Sequence, residues 1–395
     1  MRFLLGFLLF NAFFIATTGS SHSHPIRRAG SLREKLIRNG KYRDFLMEQQ
    51  EKLKSGTQPF VDWSDDYYLL DVNIGNPAVE FSLALDTASS FLWVLDCNCV
   101  SKNCIGDPDF GLYKARYNST ESSSYKPGSG PFSTQFDGQT VTGNLARDSV
   151  DLGAGLVLPN YEFGSATVVP QLYLDQPVDG VIGFGFPFMA VNGTKTPLEA
   201  LMPQLDQKLF TIWMDRKVGN TRGGMGGLIT YGAVDTVNCD SKIDYVELAT
   251  KNYWGFQMDE FRMGSYSRTR KEMVISDTGS GWLGVPTPVL QAIIKATGAK
   301  YDWTNELYTV PCSTMKTQPD LHFIINGIDY PVTSVEYVLD LWLETKQCVL
   351  TFFGMASSGF GPSWVLGDTF IRTYCHVYDY EKSRIGFANA HHSFQ

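Results

Sequence analysis

The sequence of 395 residues lacks several features that define common protein classes. Beyond the first 20 residues it has no run of about 18 consecutive apolar residues, so we expect no membrane-spanning helix there. Only six histidines occur, and none stands in a zinc-binding spacing such as H-E-x-x-H, which predicts no metal and no other cofactor. The G-x-S-x-G elbow of serine hydrolases is also absent. These absences argue against a membrane protein, a metalloenzyme and a serine hydrolase of that type.

Positive charge is scarce outside one short segment. Residues 22–54 carry nine Lys or Arg and four Asp or Glu, whereas residues 55–395 carry 23 Lys or Arg and 37 Asp or Glu. Since the acidic body offers no basic stripe to phosphates, we expect no nucleic-acid partner. The basic segment is interpreted as an intramolecular lid held by opposite charge; the alternative is a solvated basic helix.

The first 20 residues are typical of a signal peptide. A positive start at Arg2 precedes an apolar run over residues 3–15, and small and polar residues follow. The run is too short to span a bilayer, so we expect a protein that is secreted or lysosomal/lumenal, with no membrane partner. N-glycosylation triplets begin at Asn118 and Asn192, and seven cysteines, an odd number, favour disulfides in an oxidising compartment.

Apolar spacing predicts helix near the N-terminus and mostly strands after it. Residues 31–53 have helical periodicity, Ser31 and Glu34 have capping-box spacing, and Gly40 divides the segment into two short helices. Short apolar or alternating runs between turns rich in Gly and Pro predict a mostly β body. The strand candidates are residues 68–74, 81–85, 92–95, 178–182, 227–231, 273–276, 365–366 and 384–387. The helix candidates in the body are residues 197–209 and 288–297.

One motif occurs twice, as D-T-A-S from Asp86 and as D-T-G-S from Asp277. Each copy follows an apolar run, and each is followed at similar spacing by a hydrophobic pair and a glycine, Gly183 and Gly367. Two motifs in the same order predict two homologous lobes that each contribute one aspartate to a shared site.

Paired aspartates at the ends of apolar strands suit acid–base chemistry. Two neighbouring carboxylates cannot both ionise, so they share a proton; one can then activate water while the other protonates a peptide carbonyl. The two titrate as a pair, so the sequence assigns neither role to one residue alone. Hydroxyl groups and a small residue next to the aspartates are expected to support the carboxylates: Thr87, Ser89, Thr278, Gly279 and Ser280.

These motifs resemble those of the pepsin-like aspartic proteases. The matching stretches are D-T-A-S-S-F-L-W-V at 86–94, V-I-S-D-T-G-S at 274–280, W-V-L-G-D-T-F-I-R at 364–372 and I-G-F-A at 385–388. Residues 31–46 are similar to a pepsinogen prosegment. The resemblance implies a mostly β, bilobal acid-protease fold with a cleft between the lobes. It divides the chain into a signal peptide at 1–20, a basic prosegment at 21–60, an N-terminal lobe at 61–235 and a C-terminal lobe at 236–395.

The resemblance also implies which residues surround the cleft. Trp93 lies where the family has a tryptophan beside the flap, and Tyr253 is similar to an aromatic residue on the substrate side. The flap hairpin falls at Phe136, Asp137 and Gly138. The family has a tyrosine where Phe136 stands, so the hydroxyl group of the flap is missing. We expect this loss to slow an enzyme of this family without abolishing its activity.

Cysteine positions match two disulfides of the family, and a third pair remains. The implied pairs are Cys99 with Cys104 and Cys312 with Cys348, and by elimination Cys239 with Cys375. Cys97 is then left over, although it could compete with Cys99 for a partner.

The resemblance implies an aspartic endopeptidase that acts on a peptide or protein substrate at acidic pH. Its own prosegment would inhibit it, and no sequence feature indicates an oligomer, so we expect a monomer. Two departures favour an alternative, a weakened or inactive homologue that binds peptides: Ala88 replaces a glycine, and Phe136 replaces the flap tyrosine. The prosegment lacks a clear Lys-Tyr motif, which leaves Lys52 or Lys54 to reach the aspartates. A more remote reading is a secreted scaffold protein.

Overall fold

The computed structural model describes residues 21–43, 66–106, 112–136, 139–174, 176–215, 225–355 and 361–392. The predicted signal peptide at 1–20, the prosegment residues Lys52 and Lys54, and the flap residues Asp137 and Gly138 lie outside these ranges. Among the helices of the described ranges, none has the length and apolar character needed to cross a membrane.

Strands make up most of the regular structure, as the short apolar runs predicted. In chain order the strands are β1 His22–Ser31, β2 Asp66–Ile74, β3 Val79–Asp86, β4 Leu92–Leu95, β5 Lys126–Phe136, β6 Gln139–Asp151, β7 Val157–Val168, β8 Gly180–Gly183, β9 Leu209–Met214, β10 Met225–Tyr231, β11 Asp244–Glu247, β12 Gly255–Met258, β13 Glu260–Met263, β14 Tyr266–Arg268, β15 Glu272–Ser276, β16 Leu283–Pro286, β17 Lys300–Asp302, β18 Leu307–Pro311, β19 Leu321–Ile325, β20 Ile328–Val332, β21 Val338–Leu339, β22 Gln347–Leu350, β23 Phe352–Met355, β24 Trp364–Leu366, β25 Tyr374–Asp379 and β26 Arg384–Asn389. The α-helices are α1 Leu32–Arg38, α2 Lys102–Ile105, α3 Pro197–Leu201, α4 Thr287–Thr297, α5 Ser334–Tyr337 and α6 Asp368–Ile371. Short 3-10 helices cover Gln171–Leu174, Pro187–Met189, Val191–Gly193, Met202–Gln204 and Cys312–Thr314.

The two helix predictions in the body had different outcomes. The helix predicted at 288–297 is present as α4, which ends where Gly298 takes a left-handed conformation with a φ of 68°. The helix predicted at 197–209 was wrong in length, because α3 ends at Leu201 and a 3-10 turn follows. Pro203 lies in that turn, and a proline without an amide hydrogen cannot continue α-helical hydrogen bonding.

The N-terminal segment, residues 21–43, combines one predicted and one unexpected element. The predicted break at Gly40 is present, since α1 ends at Arg38 and Gly40 has a φ of 66°. The unexpected element is β1, which pairs antiparallel with β10 on one side and with β2 on the other. Ile26 of β1 is fully buried in the main core. The spacing of apolar residues did not predict this strand, because pairing with β2 and β10 stabilises it more than the β-propensity of its own residues does.

A 13-stranded sheet extends through the molecule in the order β11-β26-β25-β9-β10-β1-β2-β3-β8-β4-β7-β6-β5. A five-stranded sheet, β12-β15-β24-β16-β23, and two four-stranded sheets complete the later part of the chain. Strands from near both ends of the chain lie in the large sheet, so it joins the two halves of the molecule.

The repeated motif corresponds to a repeated arrangement of strands. In the first half, β3 ends at Asp86 and pairs in parallel with β8, which also pairs antiparallel with β4. In the second half, β15 leads directly to Asp277 and pairs in parallel with β24, which also pairs antiparallel with β16. The fold is therefore mostly β and bilobal, as predicted, and equivalent strands carry the two aspartates.

Aromatic side chains fill the junction between the two halves. Trp254 is fully buried, and its ring centre lies 4.6 Å from that of Phe186, 5.8 Å from Phe210 and 5.0 Å from Tyr378. Its Nε1–H donates to the carbonyl oxygen of Phe184 at 2.9 Å, which satisfies the one polar atom of the buried ring. This packing fixes the two halves relative to each other beneath the aspartates.

Three disulfides link cysteines at very different separations in the sequence. The pairs are Cys99 with Cys104, Cys312 with Cys348, and Cys239 with Cys375, at separations of 5, 36 and 136 residues. The first two are the pairs that the resemblance implied, the third is the pair left by elimination, and Cys97 is free among the described residues. A crosslink that closes a longer loop removes more conformational entropy from the unfolded chain, so the third pair is expected to contribute most.

We expect removal of the longest-range disulfide to destabilise the protein more than removal of the shortest. Replacing Cys239 and Cys375 by serine should lower the free energy of unfolding by about 3 kcal/mol more than replacing Cys99 and Cys104, because of the difference in loop length. Denaturant titration followed by tryptophan fluorescence measures both losses. Equal losses would contradict this ranking.

Candidate active site

Apolar strands deliver both aspartates to the centre of the molecule. The last four residues of β3 are buried, and Asp86, at its end, is 7% exposed. Val274 and Ile275 are buried in β15, and Asp277 follows that strand directly. Both carboxyl groups are therefore attached to backbone with little conformational freedom.

The position of Gly279 shows that the two carboxylates border one small space. A methyl group added at Gly279 would lie 3.0 Å from Oδ1 of Asp86 and 3.1 Å from Oδ1 of Asp277. The position beside Gly279 is thus within contact distance of both carboxylates, whose residues are 191 positions apart in the sequence. The structure brings together the two aspartates that the repeat predicted as partners.

Backbone N–H groups hold each carboxylate in the same way. The N–H of Ala88 donates to Oδ1 of Asp86 at 2.7 Å, and the N–H of Gly279 donates to Oδ1 of Asp277 at 2.8 Å. The N–H of Ser89 makes a further bond to Asp86 at 3.2 Å. The hydroxyl of Ser89 is buried without a hydrogen bond to the described residues, yet it lies near enough to Asp86 to favour the charged form.

The threonines of the two motifs bond to each other across the junction. The N–H of Thr87 donates to the hydroxyl oxygen of Thr278 at 3.0 Å, and the N–H of Thr278 donates to that of Thr87 at 3.1 Å. The hydroxyl of Thr87 donates to the carbonyl oxygen of Ser276, and that of Thr278 to the carbonyl oxygen of Leu85. The threonines therefore support the backbone before the opposite aspartate.

Enclosure by protein raises the pKa of both carboxyl groups. Burial is the largest cause for Asp86, opposed by the hydroxyl of Ser89 and by the two backbone N–H donors. For Asp277 burial again comes first, and the negative charge of Asp86 adds to it. Asp277 is partly exposed as a whole residue, but its carboxyl group lies deep enough for burial to dominate. The pair therefore retains a proton at pH values where an isolated aspartate has lost it.

Three further predicted site residues, Ser280, Trp93 and Tyr253, are buried or partly buried. Ser280 is buried, and its hydroxyl donates to the carbonyl oxygen of Trp282 at 3.3 Å, so it supports the turn after Asp277. Trp93 is buried with its ring edge-on to Tyr173, at 5.4 Å between ring centres. Tyr253 is partly buried against the same hydrophobic cluster as Trp93.

The predicted flap corresponds to a hairpin between β5 and β6. Phe136 is the last residue of β5 and pairs with Gln139, the first residue of β6. Asp137 and Gly138, which stand between them in the sequence, lie outside the described ranges.

One group of potential metal ligands occurs in the described part of the chain, Cys312, Asp340 and Cys348. Its two cysteines are joined in a disulfide, so they offer no thiolate to a metal ion. The group therefore does not suit a metal site.

The model of one protein family, described as eukaryotic aspartyl protease, matches residues 67–390. This range contains both D-T-x-S motifs and the strands that carry them. The chain belongs to the pepsin-like aspartic protease family.

Two aspartic proteases and a cathepsin E are similar to this chain over nearly their full length. Aspartic protease 1 of Caenorhabditis elegans is 48% identical over 374 residues, covering 93% of this chain and 94% of the relative. Aspartic protease 17 of the same species is 44% identical over 389 residues, covering 98% and 99%. Cathepsin E of Oryctolagus cuniculus is 29% identical over 386 residues, covering 93% of each chain.

Within the aspartic protease fold, the departure at Ala88 leaves the main contact of the motif intact. Its N–H bond to Asp86 matches the N–H bond of Gly279 to Asp277 within 0.1 Å. The substitution therefore adds a methyl group beside the dyad without removing a hydrogen bond.

The N-terminal segment reaches the hydrophobic cluster beside the aspartic protease dyad, which the sequence did not indicate residue by residue. Leu36 and Tyr42 are buried in the cluster that includes Trp93 and Trp282. The guanidinium of Arg33 lies 4.3 Å from the centre of the Trp282 ring, a cation–π distance. The sequence indicated helical periodicity over residues 31–53, but it did not indicate that Leu36 and Tyr42 contact residues far along the chain.

Sequence reasoning also missed a polar cluster behind Asp277. The hydroxyl oxygen of Ser276 lies between Nδ1 of His376 and the hydroxyl oxygen of Tyr378. The available signal was Ser276 itself, because the first motif has an apolar residue, Leu85, in the equivalent position.

We expect the dyad to make the stability of the folded protein depend on pH. A carboxyl whose pKa is raised on folding stabilises the fold below its ordinary pKa, and this contribution is lost as pH rises through the raised value. Asp277→Asn keeps a neutral group at every pH, so it should be more stable than the wild type at about pH 7 by roughly 1 kcal/mol or more. The two proteins should converge near about pH 3.

Thermal unfolding at both pH values, on chains confirmed intact by mass spectrometry, measures this difference. The control is Glu381→Gln, because Glu381 is exposed in its pair with Lys208 and should show no such gain. A difference between wild type and Asp277→Asn that does not change with pH would contradict the raised pKa.

Proposed function

We propose that the chain is an aspartic endopeptidase that hydrolyses peptide bonds of a peptide or protein substrate. The observation that carries the proposal is the placement of Asp86 and Asp277 on two sides of one small space beside Gly279. The raised pKa of both groups supports a dyad with one shared proton. The names of the relatives support the same class of reaction.

In the proposed reaction, the ionised carboxylate takes a proton from water as the water oxygen bonds to the peptide carbonyl carbon. The protonated carboxyl gives its proton to the carbonyl oxygen, which yields a neutral gem-diol. The carbon–nitrogen bond then breaks, as one carboxylate takes a proton from the diol and the other gives a proton to the leaving nitrogen. The dyad ends with one shared proton, so either aspartate can begin as the base.

Acidic pH is the proposed working range, because the reaction needs one proton on the dyad. Below the higher pKa of the pair this proton is present, and it is lost as pH rises through that value. Activity should therefore fall toward alkaline pH as the dyad becomes fully ionised.

The N-terminal segment is proposed to act as an inhibitor that is removed before activity. Arg27 on β1 donates two hydrogen bonds to the carboxylate of Asp71 on β2 and one to Ser82 on β3. Burial raises the pKa of Asp71, but the bonds from Arg27 and Ser82 lower it overall. A lowered pKa means that the pair stabilises the fold above the ordinary pKa and loses this effect as pH falls through the lowered value. Acid therefore weakens one link of the segment to the body.

We also propose a secreted or lysosomal/lumenal protein that acts as a monomer, with lobes at 61–235 and 236–395. The signal peptide pattern and the three disulfides support an oxidising compartment. Asn192 is exposed and Asn118 is half-buried, and both remain proposed glycosylation sites.

The second candidate function is peptide binding by a weakened or inactive homologue. Ala88 and Phe136 are the residues that favour it, because the family has glycine and tyrosine there. The preserved N–H bond from Ala88 to Asp86 supports the active enzyme instead. We therefore propose an enzyme whose turnover is reduced mainly by the missing hydroxyl of the flap.

Acidifying the purified full-length chain should cause self-cleavage near residues 50–66, because acid protonates the dyad and, as pH falls toward the lowered pKa of Asp71, weakens the link between Arg27 and Asp71. Asp277→Asn should abolish this cleavage, and a transition-state-mimicking peptide should block it in the wild type. Mass spectrometry of the products identifies the cut, and Glu381→Gln serves as the control. Absence of cleavage of the chain and of an added protein between about pH 3 and 6 would refute the endopeptidase and favour peptide binding.

Restoring the family residue at the flap should increase turnover. Phe136→Tyr restores the hydroxyl that the family has at this position, and one hydrogen bond from it corresponds to a rise in kcat/KM of up to about tenfold. Steady-state kinetics on a peptide substrate measure this change. Phe188→Tyr is the control, because Phe188 is 70% exposed and a hydroxyl there should change nothing. A Phe136→Tyr variant no faster than the wild type would contradict this account of the flap.

A further inference from the structure

Three polar side chains meet in the core directly behind Asp277. The hydroxyl oxygen of Ser276 lies 2.7 Å from Nδ1 of His376 and 2.8 Å from the hydroxyl oxygen of Tyr378. His376 and Tyr378 are fully buried, and Ser276 is 1% exposed. Polar groups in a core are unfavourable unless they are hydrogen-bonded to one another, so this cluster has a cost that an apolar core avoids.

The first lobe builds the same turn without such a cluster. Leu85, buried in the main core, occupies the position before Asp86 that Ser276 occupies in the second lobe. The backbone roles are alike, since the hydroxyl of Thr278 donates to the carbonyl oxygen of Leu85 and that of Thr87 to the carbonyl oxygen of Ser276. An apolar side chain is therefore sufficient for the fold at this position, and the polar cluster needs another explanation.

The hydrogen-bonding groups give the cluster a direction. Nε2 of His376 has no hydrogen-bond partner among the described residues, and the ring packs against Phe370 and Phe387. A buried N–H without an acceptor is rarer in proteins than an unpaired acceptor, so we place the ring hydrogen on Nδ1. Nδ1–H then donates to Ser276 at 2.7 Å, with the hydroxyl oxygen of Tyr378 as a second, weaker acceptor at 3.4 Å, and the hydroxyl of Ser276 donates to Tyr378.

This chain of hydrogen bonds leads to the contact between the lobes. The hydroxyl of Tyr378 also interacts with the side chain of Thr87, the residue after Asp86. The ring of Tyr378 is stacked on Phe210, with centres 4.5 Å apart and planes 9° apart, which fixes the direction of the hydroxyl. A change at His376 therefore reaches the backbone before Asp277 and the side chain of Thr87 together.

We infer that Ser276, His376 and Tyr378 form a positioning network that keeps the aspartate dyad aligned while His376 is uncharged. They are positioning residues, because they act through the backbone of Asp277 and through Thr87 and not on the substrate. The inference rests on the proposed function, since alignment of the dyad affects turnover only in an active enzyme.

The surroundings of His376 disfavour a charged ring. The side chains and partners around it are Ile212 of β9, Ser276 of β15, Phe370 of α6, Phe387 of β26 and Tyr378 of its own strand. Burial is the main cause that raises the pKa of Tyr378, and the negative charges of Asp277 and Asp368 raise it further. Burial alone lowers the pKa of His376 from 6.5 to about 3.

The lowered pKa sets the direction of the pH effect. Between pH 6.5 and about 3 the unfolded chain binds a proton at this histidine that the folded chain does not. Stability is therefore lost progressively as pH falls through that window. Below it, the folded ring takes up a proton on Nε2, where no acceptor is present among the described residues, and the network opens.

Turnover of the processed enzyme tests the positioning role. Ser276→Ala and Tyr378→Phe should each lower kcat about tenfold with KM within about twofold of the wild type, because neither side chain meets the substrate. Tyr374→Phe is the matched control: it removes a hydroxyl from the same strand, one that donates to the carbonyl oxygen of Pro331 at 2.7 Å. With activity expressed per folded molecule, Tyr374→Phe should retain kcat. An equal loss of kcat in all three variants overturns the inference.

Two variants of His376 separate its hydrogen bond from its charge. His376→Asn can keep an N–H donor near the position of Nδ1 and cannot be protonated, whereas His376→Leu loses the donor. His376→Asn should retain most of kcat and extend activity to lower pH, and His376→Leu should lose about tenfold, as Ser276→Ala does. If the acidic limb of His376→Asn coincides with that of the wild type, the link to the charge of His376 is wrong.

Nuclear magnetic resonance of the histidine-labelled full-length chain, kept uncleaved by the transition-state-mimicking peptide, tests the network without catalysis. The resonances of His376 are those missing in His376→Asn, and they should show a neutral ring with hydrogen on Nδ1 that does not titrate between about pH 4 and 7. Hydrogen on Nε2, or titration near pH 6.5, overturns the network. The expected spectrum in a wild type without peptidase activity would refute the proposed function and the positioning role, but not the hydrogen bonds.

Discussion

The reciprocal hydrogen bonds between Thr87 and Thr278 are the interaction on which the rest of the site depends. Each N–H has the hydroxyl oxygen of the other threonine as acceptor, and each hydroxyl donates to the carbonyl oxygen before the opposite aspartate. All of these groups are satisfied in a buried place, and removing one hydroxyl would leave an unpaired N–H at a cost of about 1–3 kcal/mol. Two residues 191 positions apart therefore behave as one unit. This arrangement lets each lobe contribute one carboxylate to a single pair.

The parts of the fold that the sequence predicted are those encoded by neighbouring residues or by repetition. The D-T-x-S repeat indicated two equivalent strand ends, and the structure has them at Asp86 and after Ser276. Strand β1 was missed because its place depends on the edges of β2 and β10, which lie far along the chain. The contact between Ser276 and His376 spans 100 residues, and a lone histidine gives no sign of which buried group it meets. These features depend on contacts between residues far apart in the chain, which cannot be read from a single sequence.

The asymmetry of the two lobes differs from the one that the motifs alone suggest. The sequence places the departures in the first lobe, at Ala88 and Phe136. The structure shows that the backbone N–H bond at Ala88 is kept, so the first carboxylate retains the support that Gly279 gives the second. The second lobe carries a larger chemical difference, because a hydrogen-bonded serine replaces the apolar residue found at Leu85. The motif that is intact in sequence is therefore the one that has a polar cluster, and not an apolar side chain, behind its aspartate.

Burial of the junction connects the dyad and His376 through a single physical cause. Removing water disfavours every charged form, so it raises the pKa of an acid and lowers that of a base. The same packing therefore raises the pKa of Asp86 and Asp277 and lowers that of His376 to about 3. Between these shifted values the dyad holds its proton while the histidine holds no charge. Deeper burial of the junction would raise the pKa of the dyad and lower that of His376 further. This widens the pH range in which an enzyme of this kind has an aligned dyad that also holds its proton.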